Sequence, residues 1–241
     1  MTKYVYPGES AEYAQARQQL FAAEIALRDQ IERVAQMRRA LPLGKRMPDY
    51  VFREGPAALT RNAPADFSDV HLSELFDDGH DTLIVDHLMF AAADDEPCVM
   101  CSMWADGYNA VAPHIRQQAS FVVVAKAEIG KLRRWARARG WDRIRLLSSH
   151  DNSFNHDLRM ESADGSQWAG VSVFTKDPSG AVHHRYTVDA EFDSETRDTS
   201  LYAGEARGID LYTPVWHLLD LLPAGRGDWY PRHEYMGRPS G

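Results

Sequence analysis

The chain contains two cysteines, Cys98 and Cys101, three residues apart in the stretch DDEPCVMCSMW. Chance would seldom bring the only two thiols of a 241-residue chain so close together. A pair at this spacing suits two kinds of chemistry. At a helix N-terminus, free backbone N–H groups and the helix dipole stabilise a thiolate on the first cysteine, and the second, one turn on, can resolve a mixed disulfide. With a third ligand, two soft thiolates and an imidazole would instead suit copper(I) or zinc.

The flanking residues refine the first reading. Pro97 suits entry into a first helical turn. Cys101, Trp104, Tyr108, Val111 and Ile115 follow one helical stripe, which sends Cys101 inward and Cys98 outward. Cys98 is then the attacking thiolate and Cys101 the resolving thiol. Val99 and Met100 between them, with Trp104, would border a substrate, although Trp104 also reads as packing behind Cys101. Asp106 is a candidate proton acceptor for the resolving step, or with Gly107 only a bend in the helix. Asp94, Asp95 and Glu96 precede the pair, and like charge disfavours a thiolate, so Cys98 is expected to be less acidic than in strong oxidants.

Other thiol chemistries lack their residues. A PxxxTxxC peroxidase motif is absent, no histidine follows the pair as haem attachment needs, and there is no second CxxC. For a metal, His87 is the best third ligand, with His183, His184 and His233 as further candidates. A satisfied histidine beneath the helix is the simpler reading of His87.

The elements that must position the pair follow from periodicity. Residues 10–41 read as one long helix capped by Ser10, with Leu20, Leu27 and Leu41 among its apolar positions. Such an arm either packs on the main domain or pairs with a second copy, which makes a homodimer through this helix an expectation. Beyond it, DYVFREG, TLIVDHLMF, SFVVVAK and RIRLLSS read as strands and VHLSELF as a short helix. Helices run from CVMC towards His114-Ile115 and through AEIGKLRRWARARG. The β-α-β-α-β order implies parallel strands with right-handed crossovers. GVSVFTKD and AVHHRYTVD, joined at Pro178-Ser179-Gly180, read as an antiparallel hairpin. A last helix, LYTPVWHLLDLL, should turn Val215, Leu218, Leu219 and Leu222 inward.

The predicted fold is α/β, a thioredoxin-like three-layer α/β/α sandwich with a mixed sheet and an added N-terminal long helix. Its domains are a helical arm at 1–45 and a thioredoxin-like domain with a C-terminal extension at 46–241. A net charge of −8 argues against nucleic acid as a partner. The basic run at residues 131–145 reads as a solvated helix face rather than an anion site. No secretory signal or lipidation motif is visible, and the most apolar run, TLIVDHLMFAAA, is too short to span a bilayer. The expected setting is therefore cytoplasmic, with no membrane partner.

Several segments together resemble the bacterial thioredoxin-like family known as domain of unknown function 899 (DUF899). They include RRALP, LSELF, HLMF, CSMWADGYN, SSHDNSFNHDL, GVSVF, RGID, LLDLLPAGR and YPRHEY. The resemblance implies a thioredoxin-like fold with Cys98 and Cys101 as its active site. Three departures stand out. Val99-Met100 occupies the centre of the dithiol where the family resembles Cys-Pro-Ser-Cys. Ala169 stands before GVSVF where thioredoxin-like enzymes hold a cis-proline. The YPRHEY ending is slightly short. Three functions stay open on this reading. One is a thiol–disulfide oxidoreductase acting on a protein or small-molecule disulfide or thiol, with no cofactor required. The second is a copper- or zinc-binding protein using the same cysteines with His87, and the third is a non-catalytic scaffold.

Overall fold

The structure is a computed structural model that describes residues 6–77, 79–189, 213–223, 225 and 229–235. The chain divides into two compact units, Met1–Leu43 and Gly44–Gly241. The first is built on helix α1 (Ala11–Arg39), which starts where the Ser10 side chain accepts from the Tyr13 N–H at 3.1 Å. None of the residues of α1 is buried. The i,i+4 spacing of Glu24 with Arg28 and of Asp29 with Arg33 would allow ion pairs, but neither pair forms among the described residues. Arg28 turns to Asp29, Arg33 to Gln30 and Arg39 to Glu32.

The second unit is organised around one seven-stranded mixed sheet, in the order β2-β1-β5-β4-β3-β6-β7. Its strands are β1 (Val51–Glu54), β2 (Ser68–His71), β3 (Thr82–His87), β4 (Ser120–Ala125), β5 (Arg145–Ser148), β6 (Gly170–Lys176) and β7 (Val182–Asp189). Strands β3, β4 and β5 are parallel, linked by α2 (Val99–Ile115) and α3 (Ile129–Arg139). Strand β6 then pairs antiparallel with β3, and β7 with β6. The β4-β3-β6-β7 half of the sheet, with α2 opening after β3, is the thioredoxin arrangement. Strands β5, β1 and β2 extend it on the other side.

Strand β4, SFVVVA, is buried along its whole length because both faces of the sheet are covered. Phe121, Val123 and Ala125 face α2 and α3, with Leu132 and Trp141. Val122 and Val124 face the opposite cluster, with Phe52, Leu72, Phe154 and Phe174. That second layer is thin. It is built from a 3-10 turn at Leu72–Glu74 and the short α4 (Phe154–Asp157) rather than from long helices. Helix α3 stops at Gly140, whose φ of 75° is the left-handed conformation that ends a helix at least cost.

The basic run is more internal than its composition suggested. Arg133 is buried and donates to the carbonyls of Ala58 and Arg61 at 3.0 Å each, and Arg145 grips Glu54 at 2.5 and 2.7 Å. The last helix also differs from expectation. Helix α5 (Pro214–Leu219) is only six residues long and buries Trp216, while Leu218 and Leu222 are exposed. Proline at its first position sets the start, so the inward stripe falls on Trp216, which meets Trp229 at 5.4 Å. Arg207, Asp210 and Arg226 lie outside the described residues. No helix among the described residues is long and apolar enough to cross a membrane.

Candidate active site

Strand β3 delivers the chain to the dithiol. After His87 the chain buries Leu88 and Phe90, loops through the acidic approach, and returns so that the Cys98 N–H meets the Met89 carbonyl at 2.9 Å. Cys98 is the N-cap of α2, and its own carbonyl accepts from the Ser102 N–H and the Ser102 hydroxyl, both at 3.0 Å. The first cysteine therefore sits where backbone donors are unspent. Cys98 is half-buried and Cys101 is buried, both as free thiols. Trp104, Ala105 and Tyr108 continue the buried stripe, but Val111 is exposed and Ala112 takes the inward position.

The two thiols differ in charge preference. The Cys101 S–H donates to Cys98, the Met100 and Cys101 N–H groups point at it and the His233 imidazole lies close by. Against the opposing effect of burial, these hold the Cys98 thiol down at about 6. The same partnership, with burial and the nearby Asp86, pushes Cys101 well above the ordinary thiol range. The acidic approach does not dominate, and two of its three carboxylates are engaged. Glu96 Oε2 lies 3.1 Å from His233 Nδ1, and the Asp94 carboxylate accepts from the Ala91 N–H at 3.0 Å. A value of about 6 stands above the roughly 3.5 of the most oxidising helix-terminal thiols, and the effect that opposes the thiolate is burial.

Asp86 is the residue that sequence reasoning missed. It pairs in register with Val123 and Val171, so its side chain faces α2 with theirs. It is fully buried, its Oδ2 has no hydrogen-bond partner among the described residues, and burial pushes its carboxyl up to about 8. An ionisable residue within the apolar run TLIVDHL was the available signal. Choosing it over the neighbouring His87 required knowing which face looks at the helix.

The other candidates fall into place around this core. Val99 and Met100 are half-buried beside Cys98 and remain available to a substrate, whereas Trp104 is buried in the core behind Cys101 and is not. Asp106 is not brought to the thiols. Its carboxylate is held by Arg139 and by the Trp141 N–H at 2.7 Å, which ties α2 to α3. His87 lies on the opposite face of the sheet, its Nε2 2.8 Å from Ser172 Oγ and its ring stacked on Phe154. It cannot complete a metal site with Cys98 and Cys101. His183 is engaged by Asp177 and His184 by Thr187. Among the described residues no group of three or more His, Cys, Asp or Glu side chains is placed to hold a metal ion.

Ala169 is buried where a cis-proline was expected from kindred folds, and no cis peptide occurs among the described residues. In the SSHDNSFNHDL segment, Asn155 bridges Ser149 and Gln167 at 2.8 Å each. Asp157 accepts from the Tyr50 hydroxyl at 2.6 Å.

The fold and the dithiol define a thioredoxin-like α/β protein. The chain belongs to the DUF899 family, bacterial proteins of unknown function, whose family model matches residues 5–237. Among solved structures it is similar to the Plasmodium falciparum antioxidant protein, a 1-Cys peroxiredoxin. That match has 16% identity and a TM-score of 0.45, covering 64% of this chain and 86% of that one. A reduced 2-Cys peroxiredoxin of Plasmodium vivax matches with 14% identity and a TM-score of 0.46, covering 66% and 91%. AhpC of Mycobacterium tuberculosis matches with 13% identity and a TM-score of 0.46, covering 67% and 88%. No curated protein matches the chain.

Proposed function

We propose that this protein is a thiol–disulfide oxidoreductase in which Cys98 attacks and Cys101 resolves. The observation that carries the reading is the division between the thiols. Cys98, half-buried at a helix N-terminus, is held at about 6, while buried Cys101 is pushed up. At neutral pH the first is therefore mostly thiolate and the second mostly thiol, the pairing that exchange requires.

In the reductive direction the Cys98 thiolate attacks one sulfur of a substrate disulfide and expels the other as a thiolate. In the fraction of molecules whose Asp86 is ionised, Cys101 then passes its proton to that carboxylate and attacks Cys98 Sγ, releasing the second substrate thiolate and closing the Cys98–Cys101 disulfide. Two electrons move from the protein dithiol to the substrate. Asp86 suits the proton step because, at about 8, its affinity for a proton approaches that of the thiol it serves. A dithiol or thiol reductant would restore the pair. Val99 and Met100 offer an apolar lip to a protein or small-molecule disulfide in the cytoplasm.

The test is to trap the intermediate. With excess oxidised glutathione, Cys101→Ser should stop as a mixed disulfide on Cys98, the native protein should close its internal disulfide, and Cys98→Ser should do neither. A native protein that forms no internal disulfide under these conditions rejects the reading.

A homodimer through α1 belongs to the same proposal. Leu20, Phe21, Leu27, Ile31 and Met37 are exposed on a helix with no buried residue, and a second copy could cover them. Sedimentation of the native chain should show a dimer that Leu27→Asp dissociates.

A further inference from the structure

The C-terminal segment Trp229–Tyr235 carries His233 to the dithiol from far along the chain. Three contacts fix that histidine. Its Nδ1 lies 3.1 Å from Glu96 Oε2, two residues before Cys98. Its ring meets the Trp135 ring edge-on at 4.7 Å, and its carbonyl accepts from Arg139 Nη1 at 2.6 Å. Arg139 in turn holds Asp106 of α2, so one guanidinium ties the segment to both helices that flank the site. The His233 side chain keeps only 18% of its surface, against 63% for Glu96, although it belongs to a terminal segment. Its Nε2 is buried and has no hydrogen-bond partner among the described residues.

We propose that His233 is a positioning residue of the dithiol site, where its imidazole engages Glu96 of the acidic approach and favours the thiolate of Cys98. The proposal rests on the oxidoreductase reading and deepens it. The charged and titratable groups facing the imidazole are Glu96 and Cys98 from the loop and helix start, and Arg139 from α3, with Asp106 behind Arg139. Arg232 and Glu234 flank it in its own segment. Glu96 supplies the negative charge that His233 engages through Nδ1, and without the imidazole that charge would bear on the thiol instead. The electrostatic effect of His233 on Cys98 already described, which lowers the thiol, has the sign this geometry requires.

The test follows the pH dependence of Cys98 alkylation by iodoacetamide in the reduced full-length protein, with the modified site assigned by mass spectrometry. His233→Gln should raise the midpoint and cut the alkylation rate in mildly acidic buffer by about three- to tenfold, with unchanged circular dichroism. The double variant His233→Gln with Glu96→Gln should recover part of the loss, because the uncompensated carboxylate is then gone. For His233→Ala, added imidazole should move the midpoint back, a rescue that a misfolded protein would not give. Tyr235→Phe removes a hydroxyl contact to the Arg232 N–H and leaves the charges alone, so it should leave the midpoint in place.

A native midpoint near 6 that His233→Gln leaves unmoved overturns this proposal and spares the oxidoreductase reading. So does an equal rise in Tyr235→Phe, which would make the segment mere packing. A native midpoint near the ordinary thiol value of roughly 8.5 overturns both.

Discussion

Asp86 and His87 are neighbours in β3, both fully buried, yet their environments act on them in opposite ways. Asp86 faces α2 and the dithiol, lacks a partner at Oδ2, and is pushed up to about 8. His87 faces the other cluster, bonds Ser172, stacks on Phe154, and is pushed down to about 3 by burial and then by His184. Each is thereby held neutral at physiological pH, as burial in an apolar interior demands. The difference lies in what they adjoin. One uncharged carboxyl sits beside a thiol that must lose a proton, while one uncharged imidazole sits among aromatic rings with nothing to exchange. Adjacent buried polar residues in a strand thus serve separate compartments, because the pleat sends them to opposite faces.

The largest effect expected from breaking this comparison is on resolution. Asp86→Asn should lengthen the life of the Cys98 mixed disulfide by about a hundredfold, the lower end of general-base contributions. Trapping by acid quench and mass spectrometry would measure it, and an unchanged lifetime would remove Asp86 from the mechanism.

The second effect is on stability, and the two residues have opposite signs. Asp86 binds its proton more tightly when folded. Its contribution is full below the ordinary carboxyl value of 3.8 and is lost as pH rises towards about 8. His87 binds its proton less tightly when folded, so its contribution is full above 6.5 and is lost as pH falls towards about 3. Urea titrations across pH should show Asp86→Asn flattening the alkaline limb, by an amount on the order of a few kcal/mol. The acid limb should flatten in His87→Leu. If each variant altered the other limb instead, the directions assigned to the two shifts would be wrong.

A smaller expectation sharpens the contrast further. His87→Leu should leave Cys98 alkylation and Cys101 resolution within about twofold of native, since the two clusters share no contact through that side chain. Any larger change, or a loss of zinc or copper binding by the reduced protein, would return His87 to the site. Least of all, Asp106→Asn should cost about 1 kcal/mol or less, because its pair with Arg139 is partly solvated, and resolution should proceed at the native rate. Chemical denaturation and the same quench assay read the two halves of that statement.

Much of this arrangement was legible beforehand. The dithiol spacing, the helix it opens and the alternation of strands and helices were all written in local pattern. The structure keeps α2, α3 and the β6–β7 hairpin close to where periodicity put them. What failed locally failed for non-local reasons. Trp104 belongs to a stripe that could border substrate or core, and packing against the sheet decided for core. Asp106 stands near the cysteines in sequence, but α3 brings Arg139 and Trp141 to it first. His87 stands on the strand that leads to the site, yet strand register turns it away. The acidic approach looked hostile to a thiolate until a histidine from residue 233 met it.

The sequence alone determined the pair of thiols, their place at a helix start, and which of them would face inward. Those properties depend on residues within one or two turns of each other, and short-range geometry is encoded by spacing. Tertiary structure alone decided which buried ionisable group lies beside Cys101 and which residue meets the acidic flank. Both depend on strand register and on contacts between residues far apart in the chain, and burial and charge act through space rather than along the backbone.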